Sequence, residues 1–180
     1  MSEQGIDDPL AALRKVADRL GEADRALWPD REDILAALRE RQRLFRGDAQ
    51  SSELAKRRSA AREAMEFLAP FSPRLTGAVL DGSADRHSVV ELLLYVDDTE
   101  SAMAFLREQR IDFVLGDRRV RFDARHEINA PRLEFEAGGV PFALLLLPHA
   151  QRHIAPLHSD GTRAERADLR QLDALIDSQE

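Results

Sequence analysis

The stretch that decides the fold of this 180-residue chain lies between residues 75 and 94 and reads Leu75-Thr76-Gly77-Ala78-Val79-Leu80-Asp81-Gly82-Ser83-Ala84-Asp85-Arg86-His87-Ser88-Val89-Val90-Glu91-Leu92-Leu93-Leu94. Two segments typical of strands, residues 74–80 and 89–96, flank a turn that contains Gly77 and Gly82. The second segment is almost entirely apolar, which predicts a strand that is buried on both faces. The stretch therefore predicts strand, turn, strand.

The chain before this stretch has the apolar spacing of helices. Asp8-Pro9 begins one predicted helix, because an acid at the N-cap and proline at the first helical position favour a helix start, and Gly21 ends it. A second helix is predicted over residues 30–47 and a third over 52–69, where Pro70 stops it. Trp28, the only tryptophan, is expected to pack between the first two helices.

The chain after this stretch mixes one helix with further strands. Asp97-Asp98 caps a predicted helix that runs to about Gln109. The remaining elements are a hairpin that joins residues 112–115 to 119–125 around Gly116-Asp117, a hairpin that joins 132–137 to 140–147 around Gly138-Gly139, and a last helix over 163–176. This order predicts an α+β fold, a mixed β-sheet flanked by helices. We divide it into a helical segment, residues 1–70, and a core with a C-terminal helix, residues 71–180, which form one compact unit.

The stretch resembles the signature of the nucleotidyltransferase superfamily related to DNA polymerase β. That signature is a glycine turn, a second glycine, and then Ser-Asp-x-Asp on a strand. The chain also resembles bacterial proteins of uncharacterised function that carry a nucleotidyltransferase-like domain. In the superfamily the turn holds the phosphates of a nucleoside triphosphate (NTP) and the aspartates bind catalytic Mg²⁺. The resemblance therefore implies a nucleotide-binding set here: Gly77, Ala78, Gly82, Ser83 and Ser88.

The sequence departs from this signature at the acids. Ala78 replaces a serine, Val89 replaces the first metal-binding aspartate, and Glu91 stands at the second, so Glu91 is the one catalytic candidate left in the motif. A two-residue turn at Gly138-Gly139 would pair Glu134 with Ala143. Glu134 and Glu136 then share one face of the sheet, and either could join Glu91 in binding Mg²⁺.

Other clusters allow two interpretations. His149, His153 and His158 could hold zinc, but Pro148 and Pro156 favour exposed loop histidines. Lys56-Arg57-Arg58 with Arg62 could meet phosphate, or could cover a solvated helix face and pair with Glu53, Glu63 and Glu66. His87 could touch a phosphate or be an exposed turn residue.

Composition excludes several classes of protein. The chain has 33 acids, 26 bases, a net charge of −7 and no cysteine. The acid surplus argues against nucleic acid as a partner, and the missing thiols exclude disulfides and thiolate metal sites. The longest apolar run, residues 140–148, is shorter than the roughly 18–20 residues of a membrane span. The first residues lack the features of a secretion signal, so we expect a cytoplasmic protein.

These observations predict a nucleotidyltransferase-like protein with a degenerate active site, which binds a nucleotide, a protein partner or a second copy of itself rather than catalysing. One alternative is an active Mg²⁺-dependent enzyme that moves a nucleotidyl group from an NTP to an acceptor and uses Glu91 with Glu134 or Glu136. The other alternative is a helical protein-interaction module.

Overall fold

A computed structural model describes residues 31–178 of the chain. The helix predicted after Asp8-Pro9 and the position of Trp28 lie outside the described residues. The fold is α+β: a long first helix, a five-stranded mixed sheet and a C-terminal helix that packs on it. No helix within residues 31–178 has the length and apolar character needed to cross a membrane.

The first helix, α1, spans Arg31–Phe67, a single element of 37 residues. The prediction of two helices separated after Gly47 was therefore wrong. A glycine costs a helix only about 1 kcal/mol relative to alanine and keeps its backbone donor, so it weakens a helix without ending it. Proline does end a helix, and Pro70 lies just beyond the end of α1, in the short 3-10 turn Ala69–Phe71.

The decisive stretch folds as strand, short helix and strand. Strand β1 is Arg74–Thr76, helix α2 is Ala78–Asp81, and strand β2 is Val90–Tyr95. The prediction of a strand as far as Leu80 was wrong. Gly77 adopts φ 74° and ψ −157°, a conformation open almost only to glycine, and this turns the chain out of β1. Strand β2 is confirmed, with every residue buried except Glu91.

Helix α3, Thr99–Glu108, follows β2 and confirms the predicted cap, because the Asp98 carboxylate accepts the N–H of Glu100. The hairpin predicted around Gly116-Asp117 was wrong. Strand β3 runs without a break over Val114–Arg121, and Gly116 is not among the glycines at positive φ. The turn comes instead at residues 122–126, where the Asp123 carboxylate accepts the N–H groups of Arg125 and His126.

Strands β4, Glu127–Ala137, and β5, Val140–Leu147, form the predicted hairpin around Gly138-Gly139. Both glycines have positive φ, 59° and 72°, as a tight two-residue turn requires. Ala137 pairs with Val140 and Glu134 with Ala143, so the predicted register is confirmed.

The sheet has the strand order β1-β2-β5-β4-β3, with β2 and β5 parallel and the other pairs antiparallel. One face carries the main core, to which α1, α3 and the C-terminal helix contribute. The other face carries a smaller core made by Leu93, Tyr95, Val120, Phe122, Ala130, Leu145 and Leu147. The second face also holds Glu91, because Glu91, Leu93 and Tyr95 alternate with the main-core residues of β2.

The C-terminal helix, α4, spans Leu169–Asp177, so the predicted start at Arg163 was wrong. Ala167 instead forms a bridge with Leu75 of β1. The start is set by a capping box in which the Asp168 carboxylate accepts the N–H of Gln171 and the Gln171 side chain accepts the N–H of Asp168.

We expect Asp168→Ala to lower the free energy of unfolding by about 1 kcal/mol, the usual cost of losing an N-cap. The pKa of the Asp168 carboxyl is lowered, first by the N–H of Gln171 and then by Arg74. A lowered pKa stabilises the fold above the unfolded value near 3.9, and this stabilisation is lost as the pH falls through the folded value. Urea denaturation at neutral pH and at pH about 3 should therefore show the difference between wild type and variant shrink in acid.

Candidate functional site

The site begins at Gly77, where the chain leaves β1 beside β2. A Cβ built on Gly77 would lie 2.5 Å from Oε2 of Glu91. The Glu91 carboxylate therefore lies directly over the glycine turn. Thr76 is the register partner of Glu91, and its hydroxyl donates to the carbonyl of Glu165 at 2.9 Å. The two motif positions that the resemblance connects, Gly77 and Glu91, are thus brought together by the β1–β2 pairing.

Residues that are register partners on neighbouring strands extend the site from β2 across β5 to β4. Glu91 is opposite Ala143 on β5, and Ala143 is opposite Glu134 on β4. Partners in register share a face, and neighbouring strands lie about 4.8 Å apart, so the two glutamate backbones are separated by roughly 10 Å with a small alanine between them. Glu136, opposite Pro141, lies on the same face two residues further along β4.

Glu91 and Glu134 are each paired with an arginine. Nη1 of Arg118 donates to Oε1 of Glu91 at 3.2 Å, and Nη2 of Arg132 lies 3.0 Å from Oε1 of Glu134. The Glu91 side chain is 17% exposed and the Arg118 side chain 46% exposed. Each predicted metal-binding position on this face other than Glu136 is therefore already paired with a cation within the protein.

The pair of Glu91 and Arg118 also shows how the sheet is shaped. Arg118 lies on β3, which is separated from β2 by β5 and β4, and it is four residues along β3 from Val114, the residue in the register row of Glu91. On a flat sheet the two backbones would be roughly 14 Å apart across the strands and roughly 13 Å apart along them. A 3.2 Å contact between the two side chains requires the sheet to curl over its second face. The smaller core fills the inside of this curl. Sequence reasoning missed Arg118, because no local pattern relates residues that meet only through the curl.

A narrow cleft opens beside the glycine turn. It is lined by Thr76, Gly77, Leu80, Asp81, His158 and Glu165. The space that the cleft encloses is about that of one water molecule, which is too small for a phosphate group or a nucleotide, and Asp81 and Glu165 make its lining acidic.

Two buried arginines of α1 hold the motif loop, residues 78–88. The Arg57 guanidinium donates to the carbonyls of Ser88 at 2.8 Å and Arg86 at 2.5 Å and forms an ion pair with Glu53. Arg58 donates to the carbonyls of Val79 and Leu80 at 3.1 and 3.2 Å. We call Arg57 and Arg58 the arginine clamp.

The clamp corrects the interpretation of Lys56-Arg57-Arg58 as a phosphate-binding patch or a solvated face. Arg57 and Arg58 are 2% and 3% exposed. Burial lowers the pKa of the Arg58 guanidinium, and the charge of Asp81 acts in the opposite direction. Of the three acids predicted to pair with this basic run, Glu53 pairs with the buried Arg57 and Glu66 pairs with Arg62. Arg62 also meets Asp173 of α4.

The other predicted nucleotide-binding residues lie within or beside the motif loop. Ser83 is 7% exposed, and its N–H donates to the Asp81 carboxylate. The Ser88 hydroxyl accepts the N–H of Asp85 and donates to the Asp85 carboxylate. Both serines therefore order the loop itself. Ala78 begins α2, and Gly82 ends it at φ 82°.

The histidines are dispersed. The His149 ring lies 3.1 Å from the carbonyl of Tyr95, His153 contacts Arg152, and His158 lines the cleft. His87 is exposed in the turn. Among residues 31–178 no three His, Asp or Glu side chains are placed to hold a metal ion. Mg²⁺ binding by Glu91 with Glu134 or Glu136 stays a prediction.

No protein-family model matches the chain, and no curated protein matches it at a significant level.

Proposed function

We propose that this protein is nucleotidyltransferase-like in its site and binds the phosphates of a nucleotide without transferring them. The observation that carries the proposal is the pairing of Glu91 with Arg118 at 3.2 Å beside the Gly77 turn. In a two-metal site the acids hold cations that neutralise the phosphates. Here arginine supplies that positive charge, and Val89 offers no metal ligand where the signature has an aspartate.

Arg118 has the donors that a phosphate needs. A guanidinium carries five N–H groups, and within residues 31–178 the Arg118 side chain uses one of its nitrogens, Nη1, in a hydrogen bond to Glu91. The remaining donors belong to a side chain that is 46% exposed. Arginine binds phosphate oxygens in a bidentate manner, which fixes the orientation of the phosphate as well as its charge.

The cleft beside Gly77 is too small to enclose any part of a nucleotide. The phosphates would therefore be bound at the surface by the exposed side chain of Arg118, and the sugar and base would stay in solvent. Because the base makes no enclosed contact, ATP and GTP should bind with similar affinity. Since arginine supplies the charge, binding should not depend on Mg²⁺.

We expect Arg118→Ala to weaken ATP binding about tenfold or more, because a hydrogen bond to a charged group contributes roughly 1.5–3 kcal/mol. The matched control is Arg119→Ala, since Arg119 is 79% exposed and faces the opposite side of the strand. The measurement is isothermal titration calorimetry with ATP in EDTA. The control should bind within about twofold of wild type. Equal affinities for the two variants would overturn the assignment of Arg118.

A further inference from the structure

Strand β3 forms an open edge of the sheet. It is the last strand in the order, and β4 is its one neighbour among the strands of residues 31–178. Val114 and Leu115 at its start are 69% and 56% exposed, although both are large hydrophobic residues. A long exposed edge with apolar residues is a template for pairing with another strand.

The backbone of β3 shows which groups face outward. The N–H of Phe122 donates to His126 in the turn that leads to β4, whereas the carbonyl of Arg121 accepts the N–H of Leu157 from outside the sheet. Because backbone groups alternate along a strand, those of Leu115, Asp117 and Arg119 also face outward. No backbone partner meets them among residues 31–178. Leu157 covers the edge at Arg121, so the open edge is residues 114–120.

We infer that this open edge pairs with the same edge of a second copy of the chain. Two identical antiparallel strands in one sheet are related by a two-fold axis through the central pair. All seven residues of the open edge pair with the partner strand only when that axis passes through Asp117, the middle residue of the edge. Moving the axis to Arg118 would bring the partner's Leu115 to the position that Leu157 occupies.

Side chains in this register are complementary. Val114 comes opposite the partner's Val120, and Gly116 comes opposite the partner's Arg118, where a glycine leaves room for a long side chain. Leu115 comes opposite the partner's Arg119. The two Asp117 carboxylates would face each other, and this like-charge pair by itself destabilises the ladder. Each has an Arg119 diagonally beside it on its own strand and on the partner strand, and these arginines, which also pair with Glu127, offset the repulsion.

The interface would be small. A ladder of seven residues a side falls at the low end of specific interfaces, so the expected dimer is weak and depends on protein concentration. Sedimentation equilibrium of the full chain from about 1 μM to about 1 mM covers the relevant range of dissociation constants.

The test uses two variants of one exposed residue. Leu115→Glu places an acid opposite the partner's Arg119 and should tighten the dimer about three- to tenfold, whereas Leu115→Lys places a like charge there and should weaken it by a similar factor. Both variants remove the same apolar side chain from the monomer, so a simple loss of hydrophobic contact would move them in the same direction. Equal unfolding temperatures of the two variants check that both fold.

Opposite shifts of the dissociation constant for the two variants support the pairing and its register. A wild-type chain that stays monomeric to about 1 mM would overturn the inference. Association that responds equally to both variants would overturn it as well, since the edge would then not be the interface.

Discussion

Gly77→Ala is expected to lower the free energy of unfolding by about 3 kcal/mol, for two separate reasons. The backbone at Gly77 has φ 74° and ψ −157°, where a side chain costs of order 1–3 kcal/mol. The new Cβ would also lie 2.5 Å from Oε2 of Glu91 and would drive that carboxylate out of its place over the turn. Urea denaturation of the purified variant measures the loss.

Gly139→Ala is the matched control. Gly139 also has a positive φ, 72°, but a Cβ there meets no atom within 4 Å. In the control, the free energy of unfolding therefore falls only because of the backbone conformation, by about 1–2 kcal/mol. If Gly77→Ala costs no more than Gly139→Ala, Glu91 does not lie against the turn, and the geometry of the site is wrong.

Arg57→Ala is expected to lower the free energy of unfolding by about 3 kcal/mol. The change removes a guanidinium that is 2% exposed and leaves the carbonyls of Ser88 and Arg86 without their donor. Glu53 loses its ion-pair partner at the same time. A hydrogen bond with a charged donor contributes roughly 1.5–3 kcal/mol, so the loss of two such bonds accounts for the expected change.

Arg62→Ala on the same helix provides the comparison. Its side chain is 45% exposed, and its pairs with Glu66 and Asp173 are surface contacts. Surface ion pairs contribute about 0–1 kcal/mol, so this variant should remain close to wild type. Equal losses for Arg57→Ala and Arg62→Ala would show that the arginine clamp does not hold the motif loop.

Elements defined by local chemistry could be predicted from the sequence. Gly138-Gly139 fixed the turn of the β4–β5 hairpin, and this turn alone placed Glu134 opposite Ala143. Asp98 correctly marked the start of α3. In both cases the deciding residues are neighbours in the chain, so their pattern carries the information.

Elements that depend on tertiary contacts could not be predicted. Gly116-Asp117 has the composition of a turn, yet it lies in the middle of β3, because pairing with β4 continues through both residues. Lys56-Arg57-Arg58 predicts a phosphate-binding patch or a solvated helix face, since a run of basic residues is usually exposed. The burial of Arg57 and Arg58 is favourable because the motif loop, folded against α1, supplies carbonyl groups that accept their hydrogen bonds.

The residues of the candidate site also fall into those that the sequence could identify and those that only the fold brings together. Gly77 and Glu91 could be selected from the sequence, because they belong to one motif and one strand pair. Arg118 is 27 residues from Glu91 and reaches it only through the curl of the sheet. The sequence therefore predicted the acid of the site and missed the cation that pairs with it. Binding without catalysis was already the prediction from Val89, and Arg118 adds a second reason for it.

The most direct measurement of the central claim is isothermal titration of the wild-type chain with ATP, once in EDTA and once in excess Mg²⁺. The account predicts saturable binding in both, with dissociation constants within about threefold of each other, because Arg118 supplies the charge. Binding that requires Mg²⁺, or no binding in either condition, would contradict it.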